Sequence, residues 1–153
     1  MKKSLLFLIV CTIGSSIVLF NAGCKKEEEK VTKITGTVSF PAGTSGDLSN
    51  AKVSIYTSYD NWYYNQPIKF TSVSGGGAMA TFELKDVLAG NYYLDVWKDC
   101  DNTASWTIGD FVGWYGSGGL GSPALTEFQI TEGQTFNVNI SMYIIAKKDP
   151  IAK

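Results

Sequence analysis

The chain has 153 residues, 44% of them hydrophobic, with 13 basic residues (all Lys) against 14 acidic ones and a net charge of −1. That is enough apolar material for one cored domain and excludes a disordered chain. The lack of Arg and the near balance of charge leave no basic surface for nucleic acid, and the lack of His excludes Ser–His–Asp and Cys–His catalysis and His-ligated zinc.

Lys2 and Lys3 precede an apolar run from Leu5 to Phe20. At 16 residues the run is shorter than the ~20 a membrane-spanning helix needs, and it fits the h-region of a secretory signal. Asn21-Ala22-Gly23-Cys24 then resembles the lipobox of bacterial lipoproteins, with Asn21 standing where Leu is usual. The resemblance implies a signal peptide over residues 1–23, cleavage before Cys24, and acyl chains on that cysteine. Residues 24–31 form a charged tether. Their Lys25-Lys26-Glu27-Glu28-Glu29-Lys30 run resembles the export signal of surface lipoproteins in Bacteroidetes-type bacteria. The implied location is the outer membrane, lipid-anchored and facing outward, with the membrane as first partner. Cys11 leaves with the signal and Cys24 is acylated, so Cys100 stays a lone thiol and no disulfide within the chain is expected.

Beyond the tether the pattern is period 2, the signature of strands. Thr32 to Phe40 puts Ile34, Gly36, Val38 and Phe40 on one face. Ala51, Val53, Ile55 and Thr57 face inward on a second strand, with Lys52, Ser54, Tyr56 and Ser58 outward. Tyr59 to Gln66 is aromatic-rich and without clear periodicity. Ile68 to Val73 is a third strand, Gly75-Gly76-Gly77 a turn, and Met79 to Leu84 a fourth strand. Tyr92 to Lys98 is a fifth, with Leu94 and Val96 inward. A Gly- and Asp-rich loop from Asp99 to Ser122 follows, then a sixth strand from Ala124 to Ile130. In the last strand Phe136, Val138, Ile140, Met142 and Ile144 alternate with polar residues. No amphipathic helix is evident after residue 31. The expected fold is an all-β, seven-stranded Greek-key sandwich over residues 32–146, with a polar tail at 147–153.

Three segments resemble prealbumin-like domains, the carboxypeptidase regulatory-like or transthyretin-like modules. They are Ile34-Thr35-Gly36-Thr37-Val38 with Ala51-Lys52-Val53-Ser54-Ile55; the stretch from Phe82 to Tyr93; and Val96-Trp97-Lys98-Asp99 followed by Gly109 to Gly116. The last is similar to a bacterial subgroup with an acidic loop. The resemblance implies a non-catalytic structural, ligand-binding or interaction module.

The acidic loop runs twelve residues from Asp99 to Asp110. Calcium loops place oxygen ligands at positions 1, 3, 5, 7, 9 and 12, here Asp99, Asp101, Thr103, the Ser105 carbonyl, Thr107 and Asp110. The subgroup carries Asn or Asp at the fifth position, Gly at the sixth and Asp at the ninth. Thr103, Ala104 and Thr107 stand there instead, which removes charge and the turn glycine. The loop is a weakened calcium site, or one in which the Asp side chains merely cap turns. The aromatics form a second constellation. Tyr56, Tyr93, Trp97 and Tyr143 fall on strand faces opposite the core, and Trp62, Tyr63, Tyr64, Trp106, Trp114 and Tyr115 in loops. Trp62, Tyr63, Tyr93 and Trp97 are the candidate ligand contacts, because exposed rings stack on sugars and anchor partners; alternatively, loops fold over the sheet and bury them. Carboxylates flank Cys100 and disfavour its thiolate, so no nucleophile is expected.

These features point to a non-enzymatic, surface-anchored module that binds or presents a ligand, with polysaccharide the class the aromatics suggest. The alternative is a structural or protein-interaction subunit of an envelope complex. Coplanar rings in a groove would favour the first, a flat apolar patch or bare sheet edge the second.

Overall fold

Alternation of apolar and polar side chains organises the protein, seen in a computed structural model describing residues 31–146. The signal peptide, Cys24, the rest of the tether before Val31, and the tail at 147–153 lie outside the described residues. Among the described residues no helix is long and apolar enough to cross a membrane.

The elements in chain order are β1 (Lys33–Ser39), β2 (Lys52–Tyr56), α1 (Tyr59–Tyr63), β3 (Lys69–Ser72), β4 (Ser74–Gly76), β5 (Met79–Lys85), β6 (Gly90–Lys98), β7 (Phe111–Trp114), β8 (Gly116–Ser117), β9 (Ala124–Leu125), β10 (Phe128–Ile130), β11 (Thr135–Ser141) and β12 (Tyr143–Ile144). One sheet runs β11-β1-β5-β4 and the other β12-β7-β6-β2-β3, with β10 also paired to the start of β6. The two pack face to face as an all-β sandwich.

The inner faces follow the sequence pattern. Ala80, Phe82 and Leu84 point inward from β5, and Val138 and Ile140 from β11. Opposite them are Val53 and Ile55 on β2 and Leu94 and Val96 on β6. Burying each such side chain contributes roughly 1.5–3 kcal/mol. β1 and β11 pair in parallel, Gly36 opposite Val138. A Cβ on Gly36 would collide with the Val138 carbonyl oxygen, so glycine is required at this crossing.

The architecture differs from the expected seven strands in five places. The long loop carries β7, which pairs with Asp95 to Lys98, because Val112 and Trp114 bury against Trp97. After Trp114 the chain leaves the sheet as the β8–β9 hairpin and returns as β10, so the expected sixth strand is two pieces. The last strand breaks at buried Met142, whose N–H donates to the Ser39 carbonyl; β11 belongs to the first sheet and β12 to the second. Finally, residues 59–63 are a short helix. Ser58 caps it, its Oγ accepting from the Asn61 N–H. Gly75-Gly76, expected in a turn, instead lie in β4, which extends the first sheet as an edge.

β1 starts at the pole of the β5–β6 connection, where the Val87 N–H donates to the Thr32 carbonyl. β6 then runs nine residues to the opposite pole, where the acidic loop begins.

Candidate functional site: an aromatic groove beside an acidic loop

The site is built on the outer face of the second sheet. Lys52, Ser54 and Tyr56 of β2 lie across from Trp97, Asp95 and Tyr93 of β6. An outer face would ordinarily be wet, yet Ser54, Tyr56, Asp95, Trp97 and Trp114 are all buried. The cause is a cover of three pieces: α1, the acidic loop and the β8–β9 hairpin. Part of the aromatic set therefore forms the satellite cluster that the folded-loop alternative anticipates. Trp114 stacks on Tyr143 at 5.1 Å, and its Nε1 donates to the Ser117 carbonyl.

Between these covering pieces is a groove of about 440 Å³. Trp62, Tyr63 and Tyr64 form one wall, and Ser105 and Trp106 of the acidic loop form the other, with Trp97 and Asp95 also in the lining. The Trp62 and Trp106 rings stand 5.9 Å apart at 70°. They make a corner rather than a coplanar platform. Tyr63 and Tyr64 are 70% and 69% exposed, and Trp106 is 37% exposed, so ring surface remains open to a ligand.

Among the described residues Asp95 is the one charged residue in the groove lining, and it is only 4% exposed. The Tyr56 hydroxyl donates to its Oδ1 at 3.1 Å, and the Trp62 Nε1 to its Oδ2 at 3.0 Å. Burial pushes the carboxyl up to about 7, against the pull of these two hydrogen bonds and of Lys52. Burial, and then the Asp95 charge, raise the Tyr56 hydroxyl far above its ordinary range. Ser54, directly across from Asp95, has a buried Oγ with no hydrogen-bond partner among the described residues.

Of the four candidate contacts, Trp62, Tyr63 and Trp97 line the groove, though Trp62 and Trp97 are largely buried. Tyr93 stands apart, packed edge-on against Tyr59 at 6.4 Å. Asp95 and Trp106 were not among them. The signal for Asp95 is a single acid placed among outward aromatics in Tyr93-Leu94-Asp95-Val96-Trp97, a spacing that puts all three on one face.

In the acidic loop the carboxylates of Asp99, Asp101 and Asp110 lie within 4.8 Å of one another. Thr103 Oγ1 is 2.8 Å from Asp101 Oδ1 and 3.1 Å from the Ser105 carbonyl, and Thr107 Oγ1 is 2.8 Å from Asp101 Oδ2. All six spaced positions thus turn oxygen into one cluster. The hydrogen bond from Thr107, then that from Thr103, holds Asp101 below its ordinary range. Asp110 is fully buried and accepts from the Cys100 N–H, the Thr107 N–H and the Trp97 Nε1. Ala104, at the sixth position, is left-handed with φ +58. The Cys100 thiol is pushed up by partial burial and the surrounding carboxylates, although Lys98 acts the other way.

Comparison of this chain with protein-family models, with curated proteins and with solved structures finds no match.

Proposed function

We propose that this protein is a non-enzymatic binding module of the cell envelope, and that the groove between α1 and the acidic loop receives its ligand. The groove carries this reading: aromatic walls from two separate elements around a recessed carboxylate. Trp and Tyr supply large contact area at low entropic cost. Because the rings form a corner, the groove suits one compact group, such as a terminal residue of a polysaccharide, better than a chain laid flat. A lipid anchor at Cys24 would tether the pole where β1 begins and leave the acidic loop at the far end, pointing away from the membrane. The resemblance to carboxypeptidase regulatory-like modules belongs to the same proposal, its motifs falling on β1, β2 and the β5–β6 connection. The test is affinity electrophoresis of the full chain against a polysaccharide panel. Retardation that Trp106→Ala abolishes supports the reading. No retardation by any glycan moves it to a protein-interaction subunit of an envelope complex.

The acidic loop has its own reading as a calcium site, because its six oxygen-bearing positions converge although two have lost charge. Extracellular calcium modules bind at ~10⁻⁴–10⁻³ M, and affinity at the weak end of that range is expected. A rise in melting temperature with millimolar calcium, absent with magnesium, supports it. No calcium uptake at that concentration leaves the Asp side chains as turn caps.

A further inference from the structure

We infer that the group held in this groove carries a positively charged ammonium, and that Asp95 is its counter-charge. The inference rests on the groove being the ligand site and names what that site selects.

Three observations carry it. First, the wall rings are inclined to one another: Trp62 to Trp106 at 70°, and Tyr63 to Tyr64 at 89°. Each pair is in edge-to-face contact and makes a corner; a flat sugar face is matched by coplanar rings, whereas a compact cation can rest in such a corner against a single ring face. The ring whose face is open to the groove supplies the attraction, because its negative π-face is turned toward the charge. Second, among the described residues Asp95 is the one charged residue in the lining, which includes no lysine. Among the described residues Lys52 is the cation that acts on Asp95, and its Nζ lies 5.4 Å from the Phe70 ring centre and 5.7 Å from that of Trp97. The outer face of this sheet therefore already holds one ammonium over its aromatics. Third, each Asp95 oxygen accepts a single close donor, Tyr56 or Trp62, and a carboxylate oxygen can accept two. The carboxylate thus keeps acceptor capacity for an N–H donor from the groove and, when ionised, a charge for a quaternary ammonium that brings none. Asp99 of the adjoining loop adds to the negative field on that side, since it accepts from the N–H of Ala104, a residue of the groove lining.

Burial supports the inference. A carboxyl kept near neutrality by its surroundings ionises readily when a cation arrives to pair with it. Tyr56 and Lys52 from β2 and Trp62 from α1 are the groups that face it, and the two hydrogen bonds already favour the charged form.

An ammonium of this kind has two ready sources: an alkylammonium headgroup, or a saccharide residue with a free amine. The experiment separates them. Trp fluorescence titrations of the full chain would use choline against its uncharged isostere 3,3-dimethylbutan-1-ol, and a glucosamine tetramer against the N-acetylglucosamine tetramer. At least one charged probe should bind about tenfold or more tighter than its neutral counterpart. Asp95→Asn, with the circular dichroism of the parent, should erase that preference, and Trp106→Ala should weaken binding of the same probe. Choline alone would identify a headgroup; the free-amine tetramer alone, an amino sugar. Equal binding of charged and neutral probes overturns the ammonium inference and leaves the groove as a ligand site. So does a preference that Asp95→Asn does not alter. Binding of no probe, and of no glycan in the panel above, overturns both.

Discussion

The indole Nε1 of Trp97 donates to Asp110 Oδ2 at 3.2 Å, which joins the groove to the acidic loop through one buried hydrogen bond. Any change in how Asp110 is held, including coordination of a cation by the loop, is felt at a ring that lines the groove. Trp97→Phe keeps an aromatic ring and removes the donor. The expected outcome is a loss of about 1 kcal/mol in urea-measured stability. With calcium bound in the loop, the parent groove should change affinity for its ligand and the variant should not. Identical calcium dependence in the two proteins would separate the loop from the groove.

Two tryptophans of the groove should respond differently to truncation. Trp62 is buried, packs on Tyr59 at 5.0 Å and donates to Asp95, so it holds α1 against the sheet. Trp62→Ala should cost about 3–5 kcal/mol, the range for removing a packed large aromatic. Trp106 is partly exposed and lies in the loop; Trp106→Ala should cost no more than about 1 kcal/mol while removing one groove wall. Thermal unfolding beside ligand titration checks both. Equal destabilisation would make the wall a packing element rather than a binding surface.

Ala104 carries the left-handed backbone that a calcium loop reserves for glycine. Its Cβ opposes that conformation by roughly 1–2 kcal/mol, part of which Gly would return to its own unfolded-state entropy. Ala104→Gly should therefore raise stability by up to about 1 kcal/mol and tighten calcium binding. Calorimetry of parent and variant reads both quantities. A weaker calcium response in the variant would argue that Ala104 serves the groove wall and not a metal loop.

Gly36 faces Val138 across the parallel β1–β11 pair with no room for a side chain. The colliding atom is the backbone carbonyl oxygen of Val138 on the edge strand β11, which cannot turn away without giving up its pairing with β1. Gly36→Ala should destabilise by about 3 kcal/mol and lower the denaturation midpoint without altering groove affinity per folded molecule. A variant as stable as the parent would mean that the two strands can separate locally at little cost.

The inner faces were legible because alternation maps directly to burial: β5 reads Ala80, Phe82, Leu84 inward as its sequence alone requires. The outer face was not. Period-2 reasoning assigns one wet side to each strand, and Tyr56, Asp95 and Trp97 sit on that side yet are covered by elements distant in sequence. β7 was hidden for a related reason: four residues that pair with β6 look like part of a glycine-rich loop until Val112 and Trp114 find Trp97. The acidic loop was legible in its spacing, since twelve consecutive residues form it without help from elsewhere. The groove was not, since its walls come from α1 and that loop, more than thirty residues apart. Trp62 and Trp106 were visible as aromatic, and only the fold brings them together.

Asp95 gives the molecule a pH dependence opposite to that of its surface carboxylates. Its ordinary value is 3.8 and burial raises it to about 7 in the folded chain. Between those limits the folded state keeps a proton that the unfolded state has released, so this contribution favours folding most below about pH 4 and is lost as pH rises through about 7. Over the full window it amounts to about 4 kcal/mol. Glu83 works the other way. The Lys33 and Lys85 ammoniums hold it below its ordinary range, so its contribution is present near neutrality and lost only as the solution becomes strongly acid. Urea denaturation at intervals between pH 4.5 and pH 8 should show stability falling toward the alkaline end. Asp95→Asn cannot ionise, and its profile over the same range should be nearly flat. A parent profile that rises with pH, or a variant with the parent's slope, would mean that Asp95 stays ionised beneath Trp62 and that its two hydrogen bonds outweigh its burial.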